Sequence, residues 1–197
     1  MVKTAFIYMA SGFGSRFGSN KLMASFKGKP LYRYGLECLL EAARMLQQKE
    51  GLPVQVIVVS QYREILEDGA AGGADTVYNG QSQEGIAASL RLGVQAALED
   101  TGLYLFSVAD QPYMRPETLV KLVGECLHSG RGIGCVGSCG KRGNPAVFCS
   151  WYREELLSLK GDRGGSVIMK KHPGDLLTLE VSGDELRDID VRGDLNE

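Results

Sequence analysis

A glycine-rich segment with two basic residues lies directly after the first apolar run of the chain. The segment extends from Ala10-Ser11-Gly12 to Lys21, and the apolar run Thr4 to Met9 precedes it. Glycines let a backbone turn tightly beside a large ligand, and the free N–H groups of such a loop can bind phosphate oxygens. Arg16 and Lys21 add two positive charges. The combination predicts a triphosphate site at the edge of a sheet, with a glycine-rich structural turn as the alternative.

Two common nucleotide-binding motifs do not fit the residues of this loop. Lys21 is followed by Leu22, whereas a P-loop requires Ser or Thr after its lysine. Phe17 stands where the dinucleotide fingerprint needs its third glycine, and no acidic residue follows about twenty positions later at the end of a second strand. The loop does resemble the signature A-x-G-x-x-x-R-x-G-x-x-K of nucleotidyltransferases with a Rossmann-like fold.

A carboxylate follows the most apolar strand-like run of the chain. Leu103 to Ala109 predicts a central strand, and Asp110-Gln111-Pro112 comes directly after it. Pro112 restricts this turn, so Asp110 can be presented at the same sheet edge as the glycine loop. A helix cap or a turn residue is the alternative. Since Mg²⁺ is usually bound by one or two carboxylates together with phosphate oxygens, we predict Asp110 as a metal ligand.

A second carboxylate for the metal is predicted near the end of the sequence. In the run Arg187 to Val191, Asp188 and Asp190 would point to the same face of an extended segment, and we favour Asp190 as the ligand. The metal would neutralise the triphosphate. Arg16 and Lys21 are the predicted catalytic residues, because their charges would stabilise the leaving pyrophosphate.

Strand-like and helix-like patterns alternate along the chain. Apolar runs near 3–9, 54–60 and 103–109 predict strands, and helical periodicity covers Leu31 to Gln48 and Gln83 to Glu99. This alternation predicts a three-layer α/β fold with a mostly parallel central sheet covered by helices, and the resemblance of the glycine loop implies that the fold is Rossmann-like. No repeat, low-complexity segment or linker divides the sequence, so we expect one domain over residues 1–197.

Composition excludes several classes of function. The net charge of −2 gives no indication of binding to nucleic acid or to a membrane surface. No apolar run approaches the ~18 residues of a membrane-spanning helix, and Met1-Val2-Lys3 begins no signal-peptide pattern. The five cysteines form no Cys-x-x-Cys motif and are expected to be reduced thiols. We therefore expect a cytoplasmic protein.

Taken together, the motifs resemble those of the molybdenum cofactor cytidylyltransferase family, within the larger group of molybdopterin nucleotidyltransferases. Asp110-Gln111-Pro112 matches the family's D-Q-P. One further segment matches before it, Glu84 to Leu90 (E-G-x-x-x-S-L). Three more match after it: Arg142 to Phe148 (R-G-H-P-V-x-F), Gly161 to Gly165 (G-D-x-G-A) and Asp188 to Asp190 (D-I-D). Each motif is short, but their order and spacing together are strongly specific.

The resemblance implies a role for each matched residue. The nucleotide would be bound by the glycine loop and the start of the second long helix, through Ala10, Ser11, Gly12, Gly14, Ser15, Gly85 and Ser89. Close approach of the backbone to base and ribose would explain the glycine at position 85. The acceptor would be bound by two later segments, through Arg142, Gly143, Asn144, Pro145, Asp162, Arg163 and Gly164. A hairpin turn and a helix-capping loop are the alternative interpretations of these segments.

Three departures from the family pattern bear on the function. Asn144 replaces the usual histidine, so it can donate a hydrogen bond but cannot carry a proton charge. Val191 to Asp194 replaces Thr-Pro-Glu-Asp and changes the surroundings of Asp190. Ser11 stands where cytidylyltransferases commonly have Ala and guanylyltransferases Gly, and a side chain there would narrow the base pocket and favour a pyrimidine.

The reaction implied by the resemblance is transfer of CMP from CTP to the terminal phosphate of molybdopterin or its metal-bound form, with release of pyrophosphate. Mg²⁺ is the implied cofactor, and a molybdenum hydroxylase or its maturation factor is an implied partner. Two alternatives stay open. One is a guanylyltransferase, or another NTP transferase with a different acceptor, because the fold does not fix the acceptor. The other is a non-catalytic accessory protein that binds a nucleotide or cofactor for a molybdenum enzyme.

Overall fold

A seven-stranded sheet forms the centre of the computed structural model, which describes residues 2–12, 20–191 and 193–194. A separate small hairpin consists of β2 (Ser25–Phe26) and β3 (Lys29–Pro30). The strands of the main sheet are β1 (Lys3–Ala10), β4 (Val54–Ser60), β5 (Asp75–Tyr78), β6 (Thr101–Val108), β7 (Ile133–Ser138), β8 (Lys141–Cys149) and β9 (Leu176–Glu180). Their spatial order is β5-β4-β1-β6-β8-β7-β9.

The sheet is mostly parallel, as the sequence predicted. β1 pairs in parallel with β4 and β6, β4 with β5, and β7 with β9, whereas β8 runs antiparallel to both β6 and β7. Ala10 lies opposite Ser60, and Met9 lies opposite Val108. The carboxyl ends of β1, β4 and β6 therefore meet at one edge of the sheet, which is where α/β folds bind their ligands.

Helices cover both faces of the sheet. One face carries α1 (Leu31–Glu50), α2 (Arg63–Ala71) and α4 (Pro116–Ser129), and the other carries α3 (Ile86–Ala96), α5 (Arg153–Leu157) and α6 (Ser166–Lys171). Along β1, alternate side chains enter the two apolar cores, as strand geometry requires. Burial on both faces explains the nearly continuous apolar runs of β1, β4 and β6.

The second long helix is shorter than its periodicity predicted. A 3₁₀ turn over Ser82–Glu84 precedes Gly85, and α3 begins only at Ile86 and ends at Ala96. Gly85 has φ +89° and ψ −174°, so it interrupts the helical backbone between the turn and the helix. None of the helices in the described part of the chain is long and apolar enough to cross a membrane.

Candidate functional site

A cleft of about 270 Å³ opens at the carboxyl edge of β1 and β6. It brings together many of the residues predicted from the sequence, namely Ser11, Gly12, Lys21, Gly85, Ser89, Asp110 and Asp162. Ala10 is buried at the end of β1, and its carbonyl accepts a hydrogen bond from Ser60 Oγ. The predicted residues Gly14, Ser15 and Arg16 lie outside the described residues.

The Lys21 ammonium makes three hydrogen bonds at the edge of the cleft. Its Nζ donates to Asp110 Oδ2 at 2.8 Å, to Asp190 Oδ1 at 3.1 Å and to the Ile189 carbonyl at 3.1 Å. The lysine side chain is only 11% exposed, whereas Asp110 is 25% and Asp190 57% exposed. Two predicted metal ligands and one predicted catalytic lysine therefore form a single cluster.

The Lys21 ammonium is held in its charged form. Burial would lower the pKa of Lys21, but the charge and hydrogen bond of Asp110, followed by those of Asp190, outweigh it and raise the pKa. At neutral pH the lysine is therefore a fixed cation between two carboxylates.

Backbone contacts bring the C-terminal carboxylates to Asp110. The Ile189 N–H donates to the Asp110 carbonyl at 2.9 Å, and the Ile189 side chain is fully buried. Asp194 Oδ2 accepts hydrogen bonds from the N–H groups of Asp190 at 2.8 Å and Val191 at 2.9 Å. The Asp194 carboxylate thus fixes the backbone at 190 and 191 and keeps Asp190 beside Lys21.

The carboxylates at this edge fit a divalent cation with a preference for oxygen ligands. Asp110 and Asp190 each direct one oxygen at the same cationic nitrogen, so their charges converge on one point. Within the described ranges, no group of three or more His, Cys, Asp or Glu residues could hold a metal by itself. This donor set suits Mg²⁺, which commonly combines one or two carboxylates with substrate phosphates and water.

Asp188 lies close to the same cluster but is less favourable as a ligand. Partial burial, followed by the charge of Asp110, raises the pKa of the Asp188 carboxyl, and a hydrogen bond from Gln111 opposes this shift. Asp188 shares with Asp110 and Gln111 the lining of a neighbouring pocket. Asp190, which is paired directly with Lys21, remains our preferred second ligand.

A buried asparagine that the sequence motifs did not reveal connects two residues that line the cleft, Ser11 and Ser89. Asn79 is fully buried, and its Nδ2 donates to Ser89 Oγ at 2.9 Å and to Ser11 Oγ at 3.3 Å. Its Oδ1 accepts from the N–H of Gln81 at 2.9 Å. The dipeptide Asn79-Gly80 after a short strand has the appearance of an ordinary turn, which concealed this role.

We expect Asn79→Ala to weaken nucleotide binding roughly 10-fold, equivalent to about 1.4 kcal/mol. The substitution leaves Ser11 and Ser89 without their common donor, and it should also cost about 1–3 kcal/mol of folding stability. Calorimetric titration and urea unfolding measure the two effects. Gln55→Ala is the matched control. Gln55 lies at the other end of β4, and its amide donates hydrogen bonds to the Asp75 carboxylate and the Ala96 carbonyl. Equal losses of nucleotide affinity in both variants would contradict the assignment.

The structure gives another explanation for the glycine at position 85 than the one that the resemblance implied. A Cβ at this position would lie 2.4 Å from Asp162 Oδ1 and 2.7 Å from the Gly161 carbonyl oxygen. The Ala87 N–H also donates to that carbonyl at 3.1 Å. Gly85 lines the cleft, but its missing side chain leaves room for the protein's own loop at 161–162, so close approach of a nucleotide is not needed to explain it.

A second pocket of about 290 Å³ adjoins the cleft on the side of the predicted acceptor residues. Its apolar wall contains Met9, Leu90, Phe106, Phe148 and Met169. Of the predicted acceptor residues, the pocket is lined by Arg142, Gly143, Asn144, Asp162 and Gly164.

Two predicted acceptor residues do not line this second pocket. Pro145 follows Asn144 through a cis peptide bond, and Arg163 is exposed on the loop after Asp162. Ile86 and Asp162 line both pockets, so the two form one continuous surface.

Comparison with known proteins identifies the family of the chain. The sequence model of the MobA-like NTP transferase domain matches residues 6–176. A probable molybdenum cofactor guanylyltransferase from Bacillus licheniformis is 29% identical over 123 residues, which are 61% of this chain and 55% of that protein. The chain therefore matches only about half the length of this curated relative.

Solved structures share the fold over nearly the whole chain. Rv0371c from Mycobacterium tuberculosis H37Rv has a TM-score of 0.79 at 21% identity, covering 99% of this chain and 96% of that one. A complex of Rv0371c with manganese has a TM-score of 0.73 at 19% identity, covering 99% and 97%. A nucleotidyl transferase from Methanothermobacter has a TM-score of 0.77 at 22% identity, covering 98% and 94%.

At these identities the structural similarity establishes the fold, and it confirms the predicted α/β architecture. The family match confirms the predicted class of enzyme, a nucleotidyltransferase, and it fixes neither the nucleotide nor the acceptor. With its mostly parallel sheet, its cleft at the carboxyl edge and a match over residues 6–176, the chain belongs to the MobA-like NTP transferase domain family of nucleotidyltransferases.

Proposed function

We propose that the protein transfers CMP from CTP to the terminal phosphate of a molybdopterin-type acceptor and releases pyrophosphate. The observation that carries this proposal is the cluster of Lys21, Asp110 and Asp190, in which Lys21 and Asp110 line the first cleft. The second pocket adjoins that cleft along Ile86 and Asp162. A nucleotide in the cleft and an acceptor in the second pocket would then react beside this cluster. Catalysis would then consist mainly of positioning and charge neutralisation.

Asp110 and Asp190 would hold Mg²⁺, which neutralises phosphate charge when it is bound. Arg16 and Lys21 would stabilise the pyrophosphate as it leaves. The acceptor phosphate is already ionised at neutral pH, so the residues around it need to orient it rather than to remove a proton. This assignment requires no base among the residues of the cleft.

The second pocket has the chemistry expected for a molybdopterin-type acceptor. Its apolar wall would pack against a flat ring system, while the Arg142 guanidinium would attract phosphate. Asn144 supplies a neutral amide, which can donate a hydrogen bond without depending on pH. A molybdenum enzyme or its maturation factor is the partner that would receive the product.

The base specificity rests on Ser11 and its surroundings. Ser11 lines the cleft and is 7% exposed, and its Oγ donates to the Val59 carbonyl at 3.3 Å while it accepts from Asn79. The side chain therefore occupies a fixed position that would narrow the space for a base, which favours a pyrimidine. GTP is the second candidate, because the curated relative is named a guanylyltransferase.

Calorimetry with CTP, GTP, ATP and UTP in the presence of Mg²⁺ tests the base assignment. We expect CTP to bind most tightly, and tighter binding of GTP would contradict the pyrimidine assignment. Ser11→Gly should shift the preference towards GTP by about 1–3 kcal/mol, the effect of a small change in pocket shape.

Ser11→Ala separates the two contributions of this side chain, because it removes the hydroxyl but keeps Cβ. If Cβ narrows the base pocket, Ser11→Ala retains the preference for CTP and only Ser11→Gly relaxes it. An unchanged preference in a folded Ser11→Gly variant would place the specificity elsewhere.

A further inference from the structure

All three N–H donors of the Lys21 ammonium have acceptors within the protein. An ammonium group has three N–H donors, and Lys21 has three acceptors: Asp110 Oδ2, Asp190 Oδ1 and the Ile189 carbonyl. The side chain is only 11% exposed, so the three contacts define its position closely. In this arrangement Lys21 has no donor left for a phosphate oxygen.

The same contacts affect the metal ligands. The carboxylate oxygens that face Lys21 are those on which a divalent cation between Asp110 and Asp190 would depend, and the ammonium already neutralises part of their charge. A divalent cation at the same point would repel the ammonium at close range. Full occupation of the site by a metal therefore requires Lys21 to move to another anion.

We propose that Lys21 is an internal counter-ion, which keeps Asp110 and Asp190 from binding a divalent cation strongly. The carboxylates become free for the metal when the oxygens of a bound triphosphate replace them as hydrogen-bond acceptors of the Lys21 ammonium. This inference rests on the proposed nucleotide site. In addition to its proposed contact with the pyrophosphate, Lys21 would couple the binding of metal to the binding of triphosphate. Coupling between two sites is typically 5–150-fold, and we expect an effect within about that range.

The two ion pairs differ in a way that suits such an exchange. The Asp190 side chain is 57% exposed, whereas that of Asp110 is 25% exposed. A solvent-exposed ion pair is worth little, so the contact with Asp190 is the less costly one to break. The ammonium would turn from Asp190 towards a phosphate first, while Asp110 remains as the ligand nearest to the buried end of the site.

Titration with Mn²⁺ alone, followed by electron paramagnetic resonance, tests this proposal without nucleotide, acceptor or turnover. We expect wild-type protein to bind Mn²⁺ weakly. Lys21→Met and Lys21→Gln should bind it at least about 10-fold more tightly, because the carboxylates have lost their internal cation. Lys3→Gln is the matched control, since it breaks the ion pair with Asp100 at the opposite end of β1. It should bind Mn²⁺ as wild-type protein does.

Thermal unfolding of the same variants covers the case in which loss of Lys21 impairs folding. Two unpaired carboxylates would destabilise the variants, and Mn²⁺ should raise their melting temperature by more than it raises that of the wild type. Unchanged Mn²⁺ affinity in a folded variant, or an unfolded variant that Mn²⁺ does not rescue, would overturn the proposal. Failure of CMP transfer would refute the proposed function but would leave this result standing.

Discussion

Asp110→Asn should lower turnover at least about 10²-fold, by analogy with removal of one preorganised electrostatic group. The substitution keeps the size of the side chain but removes the charge that would hold the metal. Turnover at limiting Mg²⁺ is the appropriate measurement. The defect should be largest there and should shrink as the Mg²⁺ concentration rises.

The same substitution should leave the fold almost intact. The amide oxygen of the new side chain could still accept a hydrogen bond from Lys21, which also keeps its contacts with Asp190 and Ile189. We expect a loss of about 1 kcal/mol in the free energy of unfolding.

Asp100→Asn is the matched control for Asp110→Asn, because it breaks an ion pair with Lys3 far from the cleft. Near-normal turnover of Asp110→Asn at limiting Mg²⁺ would exclude a metal-ligand role. Unfolding would assign Asp110 a structural role in the turn after β6.

Gly85→Ala should destabilise the protein by about 3 kcal/mol or more, since it combines a backbone conformation reserved for glycine with a steric clash. The φ of +89° and ψ of −174° exclude most side chains, and the added Cβ would lie 2.6 Å from the Gly161 carbonyl carbon. The loop containing Asp162 would have to move away from the start of α3. Urea unfolding and the KM for the nucleotide should both report the change.

Gly73→Ala is the control that measures the cost of a positive φ without a steric clash. Gly73 has a φ of +86°, and a Cβ added there would meet no heavy atom of the described residues within 4 Å. We expect a loss of about 1–2 kcal/mol with no change in the KM for the nucleotide. If the two variants lost equal stability, the contact between Gly85 and the loop at 161–162 would not be important.

Much of the fold was predictable because its strands are buried on both faces. The runs at 3–9, 54–60 and 103–109 are mostly apolar, and such runs are typical of a parallel sheet between helix layers. The position of Asp110 followed from the same logic, since it comes directly after a central strand. The start of α3 was predicted too early, at Gln83, although the first apolar residue of its pattern is Ile86, where the helix begins. The polar residues before Gly85 form a 3₁₀ turn instead of the first turn of the helix.

The contacts within the site were less predictable, because they join segments that are distant in the sequence. Lys21 was expected to face a phosphate, but its three hydrogen bonds go to residues 110, 189 and 190. Asn79 carries no motif, and only the fold brings it between Ser11 and Ser89. Both contacts depend on how loops meet above the sheet, which hydrophobic periodicity does not encode.

Release of pyrophosphate from CTP, GTP, ATP and UTP, with and without purified molybdopterin, tests the central claim most directly. We predict release from CTP that requires both Mg²⁺ and molybdopterin. Binding of CTP without any release would instead indicate an accessory protein that only carries a nucleotide or cofactor. Release from GTP in preference to CTP would retain nucleotidyl transfer but contradict the base assignment. Absence of release from all four nucleotides, with acceptor and Mg²⁺ present and the protein folded, would contradict the account.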